Sequence, residues 1–99
     1  MKEVFGGSGI LSSIDGRFEP REEQSRMADF ILEALCDGTG CFVEAGTGVG
    51  KTLAYLVPAI RYCIENDKRL WVSTETRALQ KQLLEKDIPI AREIVRRLI

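Results

Sequence analysis

The sequence contains no histidine, and its three cysteines, Cys36, Cys41 and Cys63, form no C-x-x-C pair. An odd cysteine count without histidine argues against a zinc site and against a disulfide framework. Free cysteine packs as a small hydrophobe, so three reduced, mostly buried thiols are expected. No apolar run approaches the roughly 18 residues that a membrane span requires. The stretch from Met1 to Ile10 has a single lysine and no apolar core, which does not read as a secretory signal. The expectation is a chain without a membrane partner, in the cytoplasm. Internal repeats, low-complexity tracts and linkers are also missing.

What is present is ordinary for a soluble globular protein: 44% hydrophobic and 29% charged residues. Ninety-nine residues make at most one small domain. Such a chain buries only about 60–65% of the surface that its unfolded form exposes, so the core is thin. The net charge of −1 is unevenly spread. Residues 1–67 carry six basic and eleven acidic groups, and residues 68–99 carry eight basic and four acidic groups. A basic end suits nucleic-acid phosphates, and a solvated helix surface has the same composition.

Residues 1–19 are rich in Gly and Ser and read as irregular, with one short helical turn around Ile10, Leu11 and Ile14. Pro20 suits a first helical position. Met27, Phe30, Ile31, Ala34 and Leu35 then recur at three- and four-residue steps, which predicts a helix over about 20–36 with that face inward. Gly38 and Gly40 end it. Cys41 to Ala45 is a strand candidate, followed by a glycine-rich loop and a helix from Lys51 to about Ile64 that contains Pro58. Asn66-Asp67 is a turn, and Arg69 to Thr74 is a second strand candidate. A helix over about Arg77 to Lys86 and a separate last helix opened by Pro89 complete the order. Strands alternating with helices predict an α/β fold, a parallel sheet covered by helices with a right-handed crossover.

The chemistry concentrates in Ala45-Gly46-Thr47-Gly48-Val49-Gly50-Lys51-Thr52. This follows the phosphate-loop pattern, with Ala45 in place of the first Gly. Inward-turned backbone N–H groups make a concave anion site. Gly46, Gly48 and Gly50 permit the required backbone angles and close approach. The helix beginning near Lys51 directs its positive end at the same anion. Lys51 would place its charge on the β- and γ-phosphates, and the Thr52 hydroxyl would ligate Mg²⁺. A glycine-rich turn between strand and helix is the plainer reading, but the apolar segments on both sides are the context that a nucleotide site needs.

Two further clusters have both structural and functional readings. Arg21 and Gln24 are three residues apart, hence on one helix face. A Gln amide donates and accepts at once, as an adenine edge requires, and Phe18 could stack on the base. An exposed, charged helix start is the plainer reading of that spacing, since Glu22, Glu23 and Arg26 lie beside them. Ser73, Thr74, Thr76 and Arg77 lie at the C-terminal end of the second strand candidate, where hydroxyls and a helix N-terminus could hold a phosphate. Helix capping by Thr74 or Thr76 is the alternative. Glu75 fits a Mg²⁺-coordinating or water-activating carboxylate poorly, because its strand candidate comes directly after the loop helix and no further strand candidate follows.

Four blocks in order carry a resemblance. They are Phe18-Glu19-Pro20-Arg21-x-x-Gln24-x-x-Met27; Glu44-Ala45-Gly46-Thr47-Gly48-x-Gly50-Lys51-Thr52-Leu53-Ala54-Tyr55-Leu56-x-Pro58-Ala59; Ser73-Thr74-x-Thr76-x-x-Leu79-Gln80-x-Gln82-Leu83; and Lys86-Asp87-Ile88-Pro89. Together they resemble the start of DinG-type helicases, ATP-dependent DNA helicases of superfamily 2 in the branch that often carries an iron–sulfur cluster. The resemblance covers nearly the whole chain. It implies a partial RecA-like motor domain 1 over residues 1–99. Arg21 and Gln24 would form the adenine-sensing Q motif, and Gly46 to Thr52 motif I. Ser73 to Gln80 would form motif Ia, which grips the backbone of single-stranded DNA. Glu75 and Val49 depart from the family, which often has an uncharged residue and Thr there. The three cysteines do not match the family's cluster ligands, so an iron–sulfur cluster belongs to the parent enzyme and not to this segment. The sequence is expected to stop before the acidic Mg²⁺-binding motif. It should therefore bind nucleotide weakly without turnover and be marginally stable. Another P-loop enzyme, such as a kinase, or an inert interaction module stays open as an alternative, and oligomeric state is not legible.

Overall fold

The computed structural model describes residues 1–41 and 51–99, and the regular elements among them are helices. The elements are α1 (Lys2–Phe5), α2 (Ile10–Ile14), α3 (Glu22–Asp37), α4 (Lys51–Asn66), α5 (Arg77–Gln82), a π-helical turn (Leu83–Asp87) and α6 (Ile88–Leu98). The described residues contain no strand, which overturns the expected α/β fold with its parallel sheet and crossover. Of the first strand candidate only Cys41 lies within the described residues. The second, Arg69–Thr74, runs without regular structure, and no backbone pairing engages it among the described residues. A strand's donors and acceptors are satisfied only by an adjacent strand, so β propensity alone leaves such a segment unpaired.

Helices satisfy their backbone locally, and here the sequence reading holds better. α3 starts after Arg21, whose backbone is extended, so Pro20 precedes the helix rather than opening it. Gly38 closes it at φ 70°, with Gly38 N–H donating to Leu35 and Thr39 N–H to Ala34. This left-handed cap is the one that glycine adopts at little cost. The face that α3 buries is rotated from expectation. Gln24, Ser25, Ala28 and Ala34 are buried, whereas Phe30 is 51% exposed. Small side chains at 25 and 28 permit close approach of α4, which is α3's main neighbour.

α4 runs unbroken through Pro58, so the ring's missing N–H costs one hydrogen bond without ending the helix. Asp67, at φ 52°, turns the chain out of α4, and the Lys68 N–H donates to the Cys63 carbonyl. Beyond residue 76 the expected break before Pro89 is absent, because α5, the π-helical turn and α6 follow one another directly. Pro89 cannot donate to the carbonyl four residues back. The wider turn before it, closed by the Ile88 N–H on the Leu83 carbonyl, lets the chain pass into α6.

The core gathers Val4, Phe5, Leu11, Ala28, Leu56, Val57, Leu83, Ala91, Ile94 and Val95 where α4 meets α3 and α6. Residues 1–14 belong to it more fully than their composition suggests: α1 was not foreseen, yet Val4 and Phe5 are buried. A methyl group at Gly9 would lie 2.7 Å from the Val4 carbonyl oxygen, so the tight return from α1 to α2 requires glycine there. The cysteines depart from expectation, since Cys36 and Cys41 are exposed and Cys63 is half-buried. They lie at the end of α3, just after it, and late in α4, away from the thin core. No helix of the described residues is long and apolar enough to cross a membrane.

Candidate nucleotide site

Lys51 and Thr52 begin the first turn of α4, a 16-residue helix whose dipole favours an anion at this end. Ala45, Gly46, Thr47, Gly48, Val49 and Gly50 lie outside the described residues. What the structure describes is the surface facing that turn. An open cleft of about 430 Å³ is lined by Phe18, Arg21, Gln24, Lys51 and Thr52, together with residues from the π-helical turn. Packing of α3 on α4 brings these groups together across some thirty positions of sequence.

Each residue enters the cleft differently. Gln24 is only 3% exposed, with its side chain at the back of the cleft. Buried amides discriminate because they need matched donors and acceptors. Phe18 is half-buried and rests on the core, leaving part of its ring on the cleft wall. Arg21 is exposed and donates to Glu19 at a long 3.5 Å. Lys51 is exposed, and Thr52 is partly buried.

The opposite wall was not singled out as part of the nucleotide site. Gln82, Lys86 and Asp87 face α4 across the cleft, and Arg17 and Asp15 lie at its N-terminal side. Asp87 is 7% exposed. Burial first, and then the negative charge of Asp87, hold the Tyr55 phenol above its ordinary value. The advance signals were the blocks that hold Gln82 and Lys86-Asp87-Ile88-Pro89, which name no contact.

A second cleft of about 270 Å³ adjoins the first and shares Thr52, Gln82 and Asp87 with it. Ser73, Thr74 and Glu75 line it, so the hydroxyls after the second strand candidate lie near the first turn of α4. The remaining members of that group diverge. The Thr76 hydroxyl accepts the Leu79 N–H at 3.2 Å, the capping role considered from sequence. The Thr74 hydroxyl donates to the Thr76 carbonyl at 3.3 Å. Gln80 faces a separate apolar groove, and Arg77 is exposed on the first turn of α5.

At the basic C-terminal end, Glu93 accepts from Arg96 and Arg97 at 2.6–3.0 Å. The Arg96 hydrogen bonds first, and then that of Arg97, lower its carboxyl to about 2. Part of this basic end is thus a solvated, internally paired helix surface.

Known proteins locate the chain by sequence. Residues 21–96 match the family described as DEAD/DEAH box helicase. The ATP-dependent DNA helicase YoaA of Escherichia coli K12 is 43% identical over 89 residues, which is 90% of this chain and 13% of YoaA. The 3′-5′ exonuclease DinG of Staphylococcus aureus USA300 is 47% identical over 73 residues, 74% of this chain and 8% of that protein. The chain therefore spans only about a tenth of the length of these curated relatives. No solved structure matches it. The family match runs through both walls of the cleft, from Arg21 to α6, and the relatives named DinG and YoaA agree with the four sequence blocks; the chain belongs to the DEAD/DEAH box helicases, among the DinG-type members.

Proposed function

We propose that residues 1–99 are the nucleotide-binding opening part of motor domain 1 of an ATP-dependent DNA helicase acting in the cytoplasm. The observation that carries this reading is the single cleft that unites Phe18, Arg21 and Gln24 with Lys51 and Thr52. An adenine ring against Phe18 would offer its edge to Gln24, with Arg21 alongside. The triphosphate would then run toward the start of α4. There Lys51 supplies a positive charge and Thr52 a hydroxyl oxygen for Mg²⁺, which would neutralise charge on the β- and γ-phosphates. The donor set fits that group: a hydroxyl oxygen and phosphate oxygens suit a hard cation. The loop from Ala45 to Gly50 would complete the phosphate cradle.

Ser73, Thr74, Thr76, Arg77 and Gln80 are proposed to meet the backbone of single-stranded DNA. Ser73 and Thr74 border the cleft beside Thr52, which would link nucleotide and nucleic-acid contacts over a short path. Thr76 keeps its capping bond in this arrangement, so the exposed Arg77 is the stronger contact. No DEAH-like acidic box occurs in the 99 residues, so the segment holds nucleotide without turning it over.

The test is titration of a fluorescent ATP analogue with Mg²⁺, comparing the wild-type chain with Lys51→Ala. A lost charge-assisted phosphate contact is worth about 1.5–3 kcal/mol, roughly ten- to a hundredfold in affinity. Equal affinities, or no binding by a folded sample, point to an inert interaction module. Brisk ATP hydrolysis by the purified chain overturns the absence of turnover.

A further inference from the structure

Among the described residues Asp87 is the one buried carboxylate, at 7% exposed, and it is the last residue of the π-helical turn. An α-helix would set residues five apart about 140° apart around its axis. Here the Ile88 N–H on the Leu83 carbonyl closes a wider turn, which brings residues five apart nearly into line. Gln82 and Asp87 thus both border the nucleotide cleft and the smaller cleft beside it. Thr52 borders the same two clefts. Tyr55, three residues further along the same face of α4, lines the smaller one. Burial first, and then the Asp87 charge, raise its phenol, which sets that carboxylate against the face of α4 that carries Thr52.

A buried carboxylate beside a polyphosphate repels it unless a cation stands between the two. Mg²⁺ bound through one side chain and phosphate oxygens keeps several water ligands, and those waters donate hydrogen bonds outward. Carboxylates that accept such bonds hold a metal in place without touching it. Resting on the nucleotide reading above, we propose that Asp87 is a positioning residue for the nucleotide's Mg²⁺, its carboxylate accepting from water on the cation that Thr52 ligates. The two walls of the cleft then have different duties. α4 meets phosphate and metal directly, and the π-helical turn meets the metal's water shell. The same charge disfavours nucleotide without metal, so Asp87 makes the cleft selective for the Mg²⁺ complex over the bare anion.

Titration of the intact chain with a fluorescent ATP analogue, once with Mg²⁺ and once with EDTA, tests this. Asp87→Asn removes the charge and nearly keeps the shape. With Mg²⁺ it is expected to bind roughly 10- to 100-fold more weakly than the wild-type chain, the usual loss for an outer-shell partner. In EDTA it is expected to bind at least as tightly as the wild-type chain. Titrating Mg²⁺ at saturating nucleotide should show the same loss as a weaker metal affinity. Asp87→Ser, smaller and also uncharged, is expected to give the same split, and circular dichroism confirms that both variants fold. A merely structural role weakens binding equally in the two conditions, and that result overturns the proposal. A wild-type chain that binds nucleotide, with variants unchanged in Mg²⁺, overturns it while leaving the nucleotide site standing. A wild-type chain that binds in neither condition overturns both.

Discussion

Leu56, Val57, Ile94 and Val95 are wholly buried where α4 meets α6, whereas Leu70, Trp71 and Val72, no less apolar, are exposed on the segment between α4 and α5. Side-chain hydrophobicity does not separate the two groups. Backbone hydrogen bonding does. Residues on α4 and α6 satisfy their own amides within the helix and can present an apolar stripe at once. Residues 69–74 can bury their backbone only when a second strand arrives. Apolar surface therefore finds cover in this chain first where cover needs no distant backbone partner.

The sharpest way to break that comparison is to truncate one residue on each side. Leu56→Ala removes a fully buried side chain from the core and is expected to destabilise the chain by about 2–5 kcal/mol. Trp71→Ser removes a larger but largely exposed side chain and should change stability by less than about 0.5 kcal/mol. Urea titration at low protein concentration, followed by far-ultraviolet circular dichroism, measures both. Similar losses at the two sites erase the distinction.

A smaller effect lies at the boundary between the regions. Thr76→Ala deletes the hydroxyl that accepts the Leu79 N–H and should cost about 1 kcal/mol. The loss should show as faster amide exchange at Leu79 and Gln80, with α4 unchanged. Uniform acceleration in both helices means that the cap stabilises the whole fold rather than α5.

The smallest effect is electrostatic and sits on the exposed face of α6. Glu93 has its folded-state pKa lowered from 4.5 to about 2 by Arg96 and then Arg97. A lowered carboxyl pKa contributes stability above the unfolded value that is lost as pH falls through the folded one. The window thus runs from about pH 4.5 down to 2. Because the group is exposed, salt should weaken the effect. A carboxyl NMR titration should place the Glu93 midpoint well below 4.5 and return it toward that value in the double variant Arg96→Ala, Arg97→Ala. An unshifted midpoint in the wild-type chain removes the ion pairs from the account.

Much of the helical layout was readable in advance, for local reasons. The Gly38 cap, the α4 start at Lys51, the Asn66-Asp67 turn and the Thr76 cap each depend on residues within a few positions. The errors are non-local. The buried face of α3 rotated away from Phe30 because Ser25 and Ala28 fit more closely against α4. The separate helix at Pro89 merged with α5 through a widened turn at Leu83–Asp87, which a periodicity count does not see. In the candidate site, spacing named Arg21, Gln24, Lys51 and Thr52 but could not say that one cleft holds all four. It also gave no reason to put Lys86 and Asp87 on the facing wall.

Sequence by itself determined which backbone segments coil, where their ends are capped, and which family the blocks match, because these properties are encoded over a few consecutive residues. Only the tertiary structure decided that α3 would lay Gln24 beside the first turn of α4, and that Arg69 to Thr74 would find no backbone partner among the described residues. Both outcomes depend on groups far apart in the chain meeting in space. Strand pairing and cleft geometry have no local hydrogen-bond pattern to announce them.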